Sequence, residues 1–133
     1  MSYRVDPHLD MPPSKQLVGA VLDALARGEL ASGDRLPSVR GMASEALINP
    51  NTVLKAYKEL EGLGVAQGRN GSGVYVTRQG PSIAMHDRRA NSLEMLRRAL
   101  VECLHAGHHC ATIKIELERC LAEESVKSGR KTG

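Results

Sequence analysis

Asn49-Pro50 constrains this chain more than any other dipeptide in it. An asparagine side chain can accept a bond from an orphan backbone N–H. A proline at the first helical position loses no hydrogen bond and has its φ preset. A helix must therefore start at this point. Val53, Ala56, Tyr57 and Leu60 recur along one face of it, up to a stop near Gly62 or Gly64. Upstream, Ser38 is a second natural cap, and the short helix after it, Val39 to Ala46, buries Val39, Met42, Ala43 and Ala46. Only Leu47-Ile48 and the Asn49 cap separate the two helices, which is the spacing of a helix-turn-helix.

The flanks extend the pattern. From Ser14 to Ala26, the residues Leu17, Val18, Val21, Leu22 and Leu25 share a helical face, and Gly28 supplies the stop before the turn Ser32-Gly33-Asp34. After Gly64 the period changes. Val65-Ala66-Gln67 and Val74-Tyr75-Val76 bracket the turn-rich run Gly68 to Gly73, predicting a β-hairpin with a long, flexible tip. A helix-turn-helix followed at once by a hairpin is a winged helix.

The organisation expected is a flexible N-terminus over 1–11, a winged helix-turn-helix domain over 12–78, a linker over 79–90, a helical segment over 91–124 and a disordered tail over 125–133. The fold class is mainly α with one small β-hairpin. Asn91-Ser92-Leu93-Glu94 reads as a capping box that starts a helix with an apolar seam of Leu93, Leu96, Leu100 and Leu104, up to Gly107. A last helix begins within 109–112 and buries Ile113, Leu117, Cys120 and Leu121. Two such helices cannot enclose a core alone, so they need a further surface, either the winged helix or a second copy.

Composition narrows the function. Among 133 residues there are three Tyr and no Phe or Trp, which disfavours modules that stack bases on aromatic platforms. The three cysteines form no CxxC and read as reduced thiols. Residues 1–15 carry four charges and three prolines without an apolar run, unlike a signal peptide, and no stretch is apolar enough to span a bilayer. A cytoplasmic chain without membrane contact is the expectation. The net charge of +3 is unevenly spread: −2 over 1–34, +3 over 35–78 and +2 over 79–133, so the basic excess begins at Arg35.

With Val53, Ala56, Tyr57 and Leu60 inside, Asn51, Lys55 and Lys58 share the outer face of the third helix, and no acid lies between Asn49 and Lys58. Asparagine pairs bidentately with adenine, lysine donates to guanine or phosphate, and the helix N-terminus aims N–H groups at an anion. A solvated polar face is the plain alternative. In the hairpin, Arg69 and its glycines suit a minor groove or the backbone, although an ordinary flexible turn has the same composition. Arg40 is either a DNA contact or an ion-pair partner.

These residues resemble a known family. GELASGDRLPSVRGMA, NPNTVLKAYKELEGLGV and GRNGSGVYV, over about residues 12–78, are similar to the DNA-binding domain of GntR-type transcriptional regulators, and the short helical remainder is similar to the YtrA-like subfamily. The resemblance implies a homodimeric repressor on a palindromic double-stranded DNA operator, with the helical tail serving dimerisation. It implies contacts from Ser38 and Arg40, from Asn49, Asn51, Thr52, Lys55 and Lys58, and from Arg69, Asn70, Gly71 and Ser72, with Tyr57 turning its hydroxyl to a phosphate. Some relatives place arginine where this chain has Pro50, so their specificity does not transfer.

Cys103, His105, His108, His109 and Cys110 form the one competing cluster, soft ligands suited to Zn, Ni or Cu in a metal- or redox-responsive regulator. Their spacing follows no defined metal motif, and no metal or other cofactor is assigned. An enzyme is not expected. There is no phosphate loop, HExxH or nucleophile elbow, His86-Asp87 lacks a nucleophile, and Gly68, Gly71 and Gly73 precede a strand rather than a helix. About fifty residues in two helices are too few to enclose a small-molecule effector, so an effector site would lie at a dimer interface or between domains.

Overall fold

The computed structural model describes residues 3–128. Its elements are α1 (Pro13–Ala26), α2 (Val39–Ala46), α3 (Pro50–Leu63), β1 (Ala66–Arg69), β2 (Gly73–Val76), α4 (Gly80–His105) and α5 (Cys110–Ser128). The chain divides into two units, with the boundary between Ala90 and Asn91.

In the first unit the helix starts fall where the caps predict. Ser38 Oγ accepts from the Gly41 N–H at 3.0 Å, and Asn49 Oδ1 accepts from the Asn51 N–H at 2.8 Å. Gly64 closes α3 at φ 85°, a left-handed turn that a side chain would strain. The three helices bury one apolar face each, and Leu17, Val21, Leu25, Leu36, Met42, Val53, Leu60 and Val65 are almost fully enclosed. Each such side chain contributes roughly 1.5–3 kcal/mol of burial, which is what holds α2 and α3 at their angle.

The hairpin is antiparallel, with Ala66 opposite Val76, Gln67 opposite Tyr75, Gly68 opposite Val74 and Arg69 opposite Gly73. The strands run further than the glycine content suggests. Only Asn70, Gly71 and Ser72 remain as a tip, closed by the Ser72 N–H on the Arg69 carbonyl at 3.0 Å. A third edge, not read from the sequence, lies beside β2. Arg35 bridges Tyr75, the Leu36 N–H donates to the Val74 carbonyl at 2.8 Å, and the Val76 N–H donates to the Asp34 carbonyl at 2.8 Å.

Three expected boundaries need correction. Residues 3–11 are not a loose arm: Tyr3 is 2% exposed in the core, and Gln16 binds the Asp6 N–H at 2.8 Å and the Asp6 and Met11 carbonyls at 2.9 Å. Residues 80–90 are not a linker but the start of α4, and the Asn91 capping box lies inside that helix. Pro81 starts α4 instead of breaking it, because a proline in the first turn forfeits no hydrogen bond. Gly80 and Ala84 are buried, and Arg88 reaches Asp23 of α1 at 3.5 Å. The expected tail is helical through Ser128, while 129–133 lie outside the described residues.

In the second unit, Asn91–His105 of α4 is followed by a tight turn and α5. Gly107 takes φ 93°, and the His108 N–H returns to the Cys103 carbonyl at 3.1 Å. The apolar seam is present but open. Leu93, Leu96, Leu100, Leu104, Leu117 and Leu121 are all between 42% and 68% exposed, and Leu96, Leu100, Ile113 and Leu117 line a groove of about 580 Å³. Leu117, Cys120 and Leu121 are thus exposed in the single chain rather than buried.

Candidate nucleic-acid interface

The two faces of α3 are chemically opposite. Val53, Ala56, Tyr57 and Leu60 are buried, whereas Asn49, Asn51, Lys55 and Lys58 are exposed and Thr52 is half-exposed. Leu54, 44% exposed, adds apolar surface beside them. Asn49 uses its oxygen for the cap, which leaves its amide hydrogens free to donate outward. Ser38 likewise caps α2 with its oxygen and keeps its hydroxyl hydrogen. Arg40, one turn along α2, is exposed and forms no ion pair among the described residues, so the ion-pair alternative for it is gone. Lys55 and Lys58 are equally unneutralised.

Tyr57 does not join this set. Its ring is 3% exposed and its hydroxyl donates to the Pro37 carbonyl at 2.6 Å, so the expected phosphate contact is corrected to a structural bond between α3 and the α2 entry. Burial, then the nearby Tyr3 and Glu45, push its ionisation far above the usual phenol range. Tyr3 is pushed up to about 12 by burial, then by Glu45 and Glu29. Both hydroxyls stay neutral at ordinary pH, which suits side chains built into a core.

At the hairpin, Arg69, Asn70, Gly71 and Ser72 are exposed. Arg69 is not free, however: its guanidinium carbon lies 4.3 Å from the centroid of the Tyr75 ring. The Tyr75 hydroxyl and Ser72 Oγ share a 2.6 Å hydrogen bond, which ties the tip to the same ring. Tyr75 was missed by the sequence reading, as was the arginine beside it. Arg35 runs along Gly73, where a Cβ would stand 2.7 Å from the Arg35 Nε. The signal for both was the non-local bridge between Arg35 and Tyr75, which no local pattern reveals.

The His/Cys cluster does not converge. Cys103 is half-buried, His105, His108, His109 and Cys110 are exposed, and among the described residues no three His, Cys, Asp or Glu side chains come together to hold a metal ion. Among the described residues no helix is long and apolar enough to cross a membrane.

Residues 13–76 match the gntR family of bacterial regulatory proteins. Over 128 residues the chain is 30% identical to the HTH-type transcriptional repressor YtrA of Bacillus subtilis (strain 168), covering 96% of this chain and 97% of that protein. Its structure is similar to that of a transcriptional regulator from Oenococcus oeni, at a TM-score of 0.66 and 32% identity over 88% of this chain and 97% of that one. It is also similar to YtrA from Sulfolobus acidocaldarius, a GntR-family transcription factor, at a TM-score of 0.58 and 29% identity, covering 76% of this chain and 99% of that one.

Proposed function

The chain belongs to the gntR family of bacterial regulatory proteins, and on that premise we propose that it is a homodimeric repressor that binds a palindromic DNA operator. The observation that carries this reading is the division of α3. One face is locked into the core, and the other offers Asn51, Thr52, Lys55 and Lys58 with no acid among them. A helix anchored on one side and polar on the other can lie in a major groove at a fixed depth, where Asn51 reads an adenine edge and Lys55 a guanine edge or a phosphate. Ser38, Arg40 and the Asn49 amide take flanking phosphates, and Arg69 to Ser72 meet the neighbouring strand. A regulator of this kind works beside the chromosome, in the cytoplasm.

The open leucine seam of the second unit supports the dimer. Six leucines exposed along α4 and α5 make an apolar patch that a monomer in water does not usually keep. A second copy covering it would pair two recognition helices and set the half-site spacing. The test starts from duplexes selected from a random-sequence pool by the full chain. Lys55→Ala and Asn51→Ala should each weaken the selected duplex by about 1–3 kcal/mol, with relaxed sequence preference for a base contact. Unchanged affinity in both variants at moderate salt would remove α3 from the interface. Leu100→Glu should shift the sedimenting species from dimer toward monomer.

A further inference from the structure

We propose that the outward face of the hairpin sheet is a phosphate cradle, formed by Arg35, Arg69 and Arg78 around Tyr75, that grips a phosphodiester of the bound DNA beyond the groove contacts. This rests on the DNA-binding reading above, shares Arg69 with it, and adds Arg35, Tyr75 and Arg78, which that reading does not use. The strand alternation puts Ala66 and Val76 toward the core, where both are buried. Gln67 and Arg69 on β1, with Tyr75 and Gly73 opposite them on β2, share the other face. Arg35, bridged to Tyr75 on the third edge, belongs to that face as well.

The geometry places two of the cations in one cleft and the third beside Gly73. Arg69 stacks on the Tyr75 ring at 4.3 Å, and Arg35 occupies the space above Gly73 that a side chain would fill. Along the same face runs a cleft of about 350 Å³ lined by Ser32, Gln67, Arg69, Tyr75, Thr77 and Arg78. No acid lines it, and there is none in the sequence from Ala66 to Arg78. None of the three arginines has an ion-pair partner among the described residues. Guanidinium groups without an ion-pair partner among the described residues match a planar, multidentate anion, and phosphate is the anion they fit best. Tyr75 is a positioning residue here. Its ring gives Arg69 a platform, and the hydroxyl bond to Ser72 holds the ring.

The phosphate could belong to the DNA strand or to a free phosphate-bearing molecule, and the experiment separates them. Affinity for the selected duplex is measured by fluorescence anisotropy from about 50 to 200 mM salt. Loss of one phosphate contact lowers the slope of log affinity against log salt by about one per protomer, nearly two for a dimer. Arg78→Ala and Arg69→Ala should each do this without changing base preference. Tyr75→Leu should reproduce Arg69→Ala, and Tyr75→Phe, which keeps the ring but loses the Ser72 bond, should fall between that variant and the wild type. The cradle is overturned if the arginine variants, folded by their melting curves, keep the wild-type slope while Lys55→Ala still weakens binding. If Lys55→Ala is also silent, the groove reading itself has failed. An unchanged slope, with Gly33 and Thr77 amide shifts on adding inorganic phosphate at matched ionic strength that vanish in Arg78→Ala, overturns the DNA assignment in favour of a free anion.

Discussion

Two glycine-to-alanine substitutions on helices should change stability in opposite directions. At Gly80, the first residue of α4, a Cβ would stand 2.8 Å from the Val65 carbonyl oxygen and 2.9 Å from Val76 Cγ1. The oxygen is backbone, and it already accepts the Thr77 N–H at 3.0 Å, so it cannot swing aside. Relief requires α4 to lift by several tenths of an ångström from a fully buried Val65 and Ala84. Overpacking of this kind costs about 1–3 kcal/mol, and at the first residue of a helix alanine regains little of the roughly 0.5–1 kcal/mol that it gains in a helix interior. The net expected for Gly80→Ala is a loss of about 1–2 kcal/mol. At Gly62, in the last turn of α3, a Cβ meets nothing within 4 Å. Gly62→Ala should therefore gain about 0.5–1 kcal/mol from propensity alone. Urea unfolding followed by circular dichroism reads both, and each kcal/mol corresponds to about 4–8 °C in Tm for a unit of this size. The reasoning fails if Gly80→Ala is as stable as the wild type, or if the two variants shift in the same direction.

Other outcomes follow from single contacts. Asn49→Ala removes the α3 cap and should cost about 1 kcal/mol in the urea midpoint, whereas Asn49→Asp should restore most of it while weakening DNA through its charge. Tyr57→Phe should lose about 1 kcal/mol with the Pro37 bond, yet leave duplex affinity within about twofold, because the hydroxyl points inward. Alkali should destabilise the fold. Tyr3 ionises near 10 when unfolded and at about 12 when folded, so its contribution is intact below pH 10 and is lost as the pH rises toward 12. Tyr57, raised further still, contributes over the same window, so the slope of stability against pH should reach about 1.4 kcal/mol per unit for each of the two tyrosines, and Tyr3→Phe should roughly halve it. The same variant should be neutral or stabilising at pH 7, since the Tyr3 hydroxyl is buried without a hydrogen-bond partner among the described residues.

What could be read in advance was local. The caps at Ser38 and Asn49, the left-handed Gly64 and the helical spacing of Leu17 through Leu25 are decided by neighbours within one or two turns, and the structure places them as expected. The misreadings share the opposite character. Gly80-Pro81 looks like a break until one knows that Gly80 must sit against Val65, fifteen residues earlier in the chain. The partner of the Tyr57 hydroxyl is twenty residues away. Tyr3 enters the core from a segment whose prolines and charges suggest a loose arm. In the second unit the leucine seam was legible, but what covers it was not, because a surface patch does not encode its partner.

The start of the recognition helix connects these observations to DNA. Pro50 makes that start unambiguous but supplies no side-chain donor, so the first turn of α3 holds no basic group at all. Under the proposed mode of binding, direct reading then falls to Asn51, Thr52 and Lys55, two of them neutral side chains whose bonds to base edges are specific but add little charge. Affinity has to come from elsewhere, since phosphate neutralisation dominates binding to a duplex. Four arginines of the first unit have no ion-pair partner among the described residues: Arg40 at the entry of α2, Arg69 on β1, Arg35 beside β2 and Arg78 just after it. Under that mode of binding, the six cations of residues 35–78 divide into two lysines on the reading face of α3, Lys55 and Lys58, and four arginines that flank it. Transplanting an arginine into position 50 would add charge where this chain reads sequence, and should raise affinity for unrelated duplexes more than for the selected one.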